Sequence, residues 1–475
     1  MNTFEKIRKN KWSIFFVSSM ANLIAAFSVN SLALALPVIA ADFGTAQSNV
    51  SWLTLVYSLV PCCTLLLFGR MAELHGYRKQ MILGFAVFGL VSALTPAVSR
   101  SIGILIFMRC LQGVAYAIMV SITQAIVSRA FPPAERGKAL GTNTVFVSVG
   151  LAAGPTLGGL LIKHFSWKSI FYFNIPFAVL GIAACLLVMP KDETDDSKKA
   201  RMDYSGALLL AAACGGLCVG LNFLKNKTNL GISPLWLIAA AVLAFVLFFL
   251  REKRAGESAL VPMSLFADRS FSQCNIVLLG LFIAQQMVVY MMPFYLEDIC
   301  ALPSDTAGFY IMASPLCMII FAPIGGTLKD RYGTKLPSIL GFSILLASIV
   351  FLSTLSESTP HFMTVTALAG VGIGAGLGTS PVNTTIMNSA PRERSGVASG
   401  TLATMRNLGQ TMGVACSTLI LEARQAVYIA SADSSGAYLM AQRDTFLFGC
   451  LTLTIAIVRI VLLPRSGSKN TAARK

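Results

Sequence analysis

Apolar runs of about twenty residues recur along the whole chain, parted by short polar turns. Twenty helical residues rise about 30 Å, the thickness of a bilayer's hydrocarbon core. The runs at 13–40, 51–69, 80–98, 102–127, 139–162, 169–189, 204–224, 232–250, 271–297, 306–325, 336–354, 362–388, 396–421 and 444–464 predict fourteen spanning helices. No soluble domain interrupts them. The first run is too long, and leads too directly into the rest of the protein, for a cleavable signal peptide. The expected fold is therefore an all-α polytopic membrane protein. Residues 1–190 would form a six-helix half, 191–270 a linker with two extra transmembrane helices, and 271–475 a second six-helix half with a cytoplasmic tail. The linker opens on the mixed-charge stretch 191–199.

Composition agrees. Hydrophobic residues make up 55% of the 475 and charged residues 12%, against about 25% charged in soluble domains. The net charge of +16 is spread over short, scattered loops, which argues against a nucleic-acid partner. If the N-terminus is cytoplasmic, the segments on that side hold the large majority of the 37 Lys and Arg. The positive-inside rule then puts both termini in the cytoplasm of a multi-pass protein of the cell membrane. The eleven Cys lie mostly within apolar runs and form no CxxC pair or Cys/His cluster, so they read as packing residues. No metal or cofactor is expected. The three His fall at span ends or in loops and no GxxxxGK[ST] loop occurs, which disfavours a membrane enzyme and an ATP-driven pump.

One charged turn stands out between the second and third runs. It contains Gly69, Arg70, Met71, Glu73, Gly76 and Arg78. A weaker copy lies just after the tenth run, with Gly326, Leu328, Asp330, Arg331, Gly333 and Lys335, and five positions match in type and offset. Two copies in equivalent settings point to an internal duplication, common in transporters and adverse to a channel or a sensor. The acid can pair with the bases or with a helix N-terminus.

The first copy resembles the signature loop between helices two and three of the major facilitator superfamily, with Glu73 in place of the usual Asp. The 6+2+6 plan resembles that superfamily's fourteen-helix drug:proton antiporter branch. Other stretches agree. Arg109, Gln112 and Gly113 resemble its RxxQG element, and Gly150, Gly154, Pro155, Gly158 and Gly159 its GxxxGPxxGG element. Trp167, Phe173, Asn174 and Pro176 resemble the start of its span six. The resemblance implies a proton-coupled secondary transporter working by alternating access, acting as a monomer in the lipid bilayer.

The sequence departs from the branch where charge matters. Ser28 stands where the cation exporters carry a span-one Asp, and Leu55 where some relatives have Asp. No Asp or Glu lies in the middle of any run; Glu297 and Asp298 are at the outer end of the ninth. Arg109 and Arg406 lie within runs, with Gln112 one turn from Arg109 and Asn30 and Gln286 elsewhere as polar candidates. A guanidinium at membrane depth faces a cavity or a partner. That set suits a small amphipathic anion whose carboxylate meets Arg, and it resembles most the bile-acid:proton symporters of gut anaerobes. Multidrug efflux by drug:proton antiport is the alternative. Gly150, Gly154 and Gly158 fall on one helix face, where small residues let a neighbouring helix approach; Pro155 removes one helix hydrogen bond and allows a bend. That face is expected to combine plain tight packing with a flexing contact between the halves.

Overall fold

The computed structural model describes residues 10–45, 47–192, 202–222, 233–256, 259–429 and 434–463. Both chain tails and most of the 191–199 linker lie outside that set. All regular structure among the described residues is helical. The long helices are α1 Lys11–Ala33, α2 Gln47–His75, α3 Tyr77–Val98, α4 Ile102–Ala130, α5 Arg136–His164, α6 Ser169–Val188, α7 Tyr204–Asn222, α8 Pro234–Ala255, α9 Arg269–Phe294, α10 Ala313–Tyr332, α11 Lys335–Leu352, α12 His361–Ser389, α13 Ser395–Tyr428 and α14 Ser434–Val461.

Twelve helices among the described residues are long and apolar enough to cross a membrane, which makes this a multi-pass membrane protein. The two that fall short are instructive. For α7 the stretch that counts toward a span is Tyr204–Gly220, just short of the needed length. Helix α13 is amply long at 34 residues, but Arg406, Asn407, Gln410 and its many Ser, Thr and Gly dilute its hydropathy. Arg406, Asn407, Gln410 and Thr411 line a cavity, and the helix's Gly residues lie against α2 and α9.

Prolines account for breaks that the apolar runs hid. The first run is two helices, α1 and a short one, Leu36–Asp42, with Pro37 in its first turn. Proline fits a first turn because its missing N–H has no helical acceptor there. The tenth run is likewise split, Ser304–Ile311 preceding α10. Pro293 near the end of α9 is followed by a π-helical turn, Tyr295–Ile299.

Helix α1 packs on α5, α2 on α4 and α3 on α6; later in the chain α9 packs on α13 and α14, and α10 and α11 on α12. The two groups meet chiefly where α2 crosses α13 and where α5 crosses α10. Helices α7 and α8 form a hairpin, with α7 leaning on α2. At the foot of this hairpin Arg251 pairs with Asp203 at 3.0 Å. Beside it the buried Glu252 accepts hydrogen bonds from the Leu260 and Val261 amides.

The Gly150, Gly154 and Gly158 stripe is not a contact between the two groups. It lies against α1 of its own group: a Cβ on Gly150 would sit 2.5 Å from the Leu23 carbonyl oxygen, one on Gly154 2.8 Å from the Asn30 Cβ, and one on Gly158 3.0 Å from Ser31. The glycines of α5 that meet the second group are Gly137 and Gly141, nearer its start. Neighbouring helices in lipid gain little from apolar burial, so such close backbone contact does much of the holding. Gly154→Leu is expected to force α1 and α5 apart, destabilising the protein by roughly 1–3 kcal/mol. Thermal unfolding of the detergent-solubilised protein would register this as a lowered midpoint.

Candidate functional site

The duplicated turns do the same structural work twice. Glu73, near the end of α2, reaches the N-terminus of α13: its Oε1 accepts the Val397 amide at 2.8 Å. Its Oε2 accepts Arg70 Nη1 at 2.8 Å, and Arg394 lies 3.9 Å away. Asp330, near the end of α10, reaches the N-terminus of α5, accepting the Gly137 amide at 3.0 Å and the Lys138 amide at 2.9 Å. The first amides of a helix have no intrahelical acceptor and carry the positive end of its dipole, so a carboxylate there is doubly favoured. Both Glu73 and its Arg70 partner expose only 4% of their side chains.

Each acid sits beside a glycine crossing. A Cβ on Gly69 would lie 2.6 Å from the Gly396 oxygen, and one on Gly326 2.0 Å from the Gly137 oxygen. One turn along, Gly400 faces the Leu65 oxygen and Gly141 the Ala322 oxygen. The remaining matched positions also agree. Gly76 and Gly333 both have positive φ, 100° and 78°, which glycine adopts without strain. Arg78 donates to the Cys185 and Leu186 carbonyls at the end of α6, as Lys335 does to Val461 at the end of α14. Arg331 is exposed.

Away from this closed end the two groups part around a cavity of about 1670 Å³. It reaches Asn49, Ser51, Glu297 and Phe309, all exposed, at the opposite end of the bundle. Asn30, Gln286 and Arg406 line it, together with Trp52, Tyr57, Tyr116, Gln285 and Asn407. Arg406 makes no hydrogen bond or ion pair with any described residue. Among the described residues Glu297 is the one acid on the lining, and it stands at the open end.

Arg109 and Gln112 are not on the lining. Arg109 is buried behind Tyr57, its guanidinium 4.0 Å from the centre of that ring. It donates to Gln112 Oε1 at 2.9 Å and to the Leu53 and Ser28 carbonyls at 3.3 and 3.4 Å, and Gln112 donates on to Ser92. Among the described residues no carboxylate belongs to this network. Ser28, at the position of the exporters' acid, bonds Asn174 instead.

Comparison with known proteins agrees with this architecture. A family model described as the Major Facilitator Superfamily matches residues 18–414. The chain belongs to the major facilitator superfamily. Within that superfamily it is 31% identical to the riboflavin transporter RibZ of Clostridioides difficile strain 630, over 97% of this chain and 99% of the relative. It is 29% identical to the tetracenomycin C resistance and export protein of Streptomyces glaucescens, over 88% and 77% of the two chains. Among solved structures, the human organic anion transporter MFSD10 superposes with a TM-score of 0.63 at 15% identity, covering 94% of this chain and 99% of that one. At that identity the likeness speaks for the fold.

Reading the sequence singled out the two acids but missed their partners. Gly137 with Gly141, and Gly396 with Gly400, form a repeated GxxxG at the starts of α5 and α13, and that repeat was the available signal. Nothing in the local sequence marks Tyr57 as the lid over Arg109.

Neutralising the acids should loosen the closed end. A hydrogen bond to a charged group contributes about 1.5–3 kcal/mol. The double variant Glu73→Gln, Asp330→Asn is expected to exchange its amide hydrogens faster at 136–141 and 395–400, with the rest of the protein unchanged. Hydrogen-exchange mass spectrometry would measure it.

Proposed function

We propose that this protein is a proton-linked secondary transporter that carries an amphipathic organic solute by alternating access. In this reading the solute's anionic or carbonyl-bearing end meets Arg406. The carrying observation is that Arg406 stands in the cavity with no ion-pair partner among the described residues. A guanidinium removed from bulk water is costly until an anion or acceptor engages it, and its planar fork suits a carboxylate. The aromatic and aliphatic lining takes the solute's apolar part.

The chain divides into 1–190, 191–270 and 271–475 in this proposal, with fourteen spans; α7 and α13 complete the twelve that hydropathy alone selects. Both termini are cytoplasmic and the membrane is the cell membrane, from the Lys and Arg bias. The structure is then outward-open, with the Glu73 and Asp330 contacts as the inner gate. Arg109 couples proton movement to the conformational change through Gln112, Tyr57 and the α1 backbone, without touching the solute. The working unit is a monomer.

Bile acids fall within this solute class. Relatives named for riboflavin transport and for drug or antibiotic export widen the class to polar, partly aromatic molecules. Efflux of such molecules is the second reading, supported by the tetracenomycin C exporter's similarity over most of the chain.

Equilibrium binding measured beside uptake in proteoliposomes tests these roles. Arg406→Ala should weaken binding of a carboxylate amphiphile at least tenfold, from a lost charged hydrogen bond of about 1.5–3 kcal/mol. Arg109→Ala should leave binding nearly intact and abolish accumulation driven by a pH gradient. A wild-type protein that moves lipophilic cations and ignores anionic or carbonyl-bearing solutes would defeat the Arg406 reading.

A further inference from the structure

The cavity's polar groups are not interchangeable, because many are already engaged with the protein. Along the seam of α1 and α5, four of them line the cavity: Asn22, Asn30, Thr144 and Ser148. Each donates a hydrogen inward. Asn22 donates to Asn143 Oδ1 at 2.6 Å and Asn30 to the Leu151 carbonyl at 3.0 Å. The Thr144 hydroxyl donates to the Leu140 carbonyl and that of Ser148 to the Thr144 carbonyl, both at 3.2 Å. A hydroxyl has a single hydrogen, so once that is given to the helix only its lone pairs remain. The Asn22 and Asn30 Oδ1 atoms accept no hydrogen bond from any described residue, and each of these amides keeps a second N–H, so the seam offers acceptors at all four residues and donors at two.

We infer that the α1–α5 seam is an acceptor-rich strip that binds a hydrogen-bond-donating arm of the solute, a chain of hydroxyls or N–H groups. This rests on the transporter reading above and names the class of molecule more closely. Asn22 and Asn30 are eight residues apart on α1, so the strip extends about 12 Å, long enough to engage several donors in a row. The Asn143 contact and the Gly154 approach to Asn30 hold the strip in place, so it needs little reorganisation to bind. Arg406, from the second group of helices, faces the same cavity and takes an acceptor. A solute that satisfies both has a donor-rich arm and an acceptor-bearing body. A quaternary ammonium drug, with no N–H and a positive charge, satisfies neither.

Two flavins make a matched pair of probes. Riboflavin carries a chain of hydroxyls on its ring, and lumiflavin has a methyl group in that place; both keep the ring carbonyls. Equilibrium binding to the full purified chain should favour riboflavin at least tenfold. Ser148→Ala and Asn30→Ala should each cut riboflavin affinity about threefold to tenfold, the effect of one lost hydrogen bond, and leave lumiflavin affinity unchanged. Thermal unfolding of each variant checks that it is folded. Equal affinity for the two flavins, binding of neither, or equal losses for both in the variants overturns the strip. Arg406→Ala separates the two readings. If it weakens both flavins while the wild type binds them equally, the Arg406 reading stands and the strip falls. If riboflavin is preferred and Arg406→Ala changes nothing, the strip stands and the Arg406 reading falls.

Discussion

The structure hangs on a carboxylate at the start of a helix that belongs to the other group of packed helices. It occurs twice, as Glu73 on α13 and Asp330 on α5. Each contact combines a dipole, one or two backbone amides and a glycine crossing that lets the helix axes come close. None of these is strong alone. A carboxylate at a helix N-terminus contributes about 0.3–1 kcal/mol at an exposed site and up to about 2 when partly buried. Together they close one end of the bundle, beside apolar packing that a membrane rewards little. Contacts of that size can be made and broken during a transport cycle.

Closing one end defines the cavity and divides the intramembrane charges into two kinds. Arg109 is satisfied internally, by carbonyls, Gln112 and the face of Tyr57. Arg406 is left facing the cavity. The two look alike in the sequence, both inside apolar runs with an amide a few residues on. Their difference comes from neighbours on other helices: α4 is enclosed by α1, α2 and α3, whereas α13 has one side on the cavity. The same feature explains why α13 escapes a hydropathy criterion, since a helix that lines water has no need of an all-apolar surface.

Much of this was legible in the sequence. Apolar run length indicated an all-helical membrane fold and the rough limits of its long helices, because a run of about twenty apolar residues can cross lipid with its backbone satisfied internally only as a helix. The offsets of Gly69, Glu73, Gly76 and Arg78 against Gly326, Asp330, Gly333 and Lys335 announced the duplication: the Gly69/Gly326, Glu73/Asp330 and Arg78/Lys335 pairs make matched contacts, and Gly76 and Gly333 share a positive φ. Side-chain chemistry alone set which residues are candidates for an anion or a proton. Tertiary structure decided where they act. It turned the Gly150, Gly154 and Gly158 stripe onto α1 rather than across the halves, because helix rotation depends on every neighbour at once. It placed Tyr57 between Arg109 and the cavity, and it determined which hydroxyl and amide hydrogens were already committed. A sequence lists donors and acceptors, but only the packed helices show which of them remain free to meet a solute.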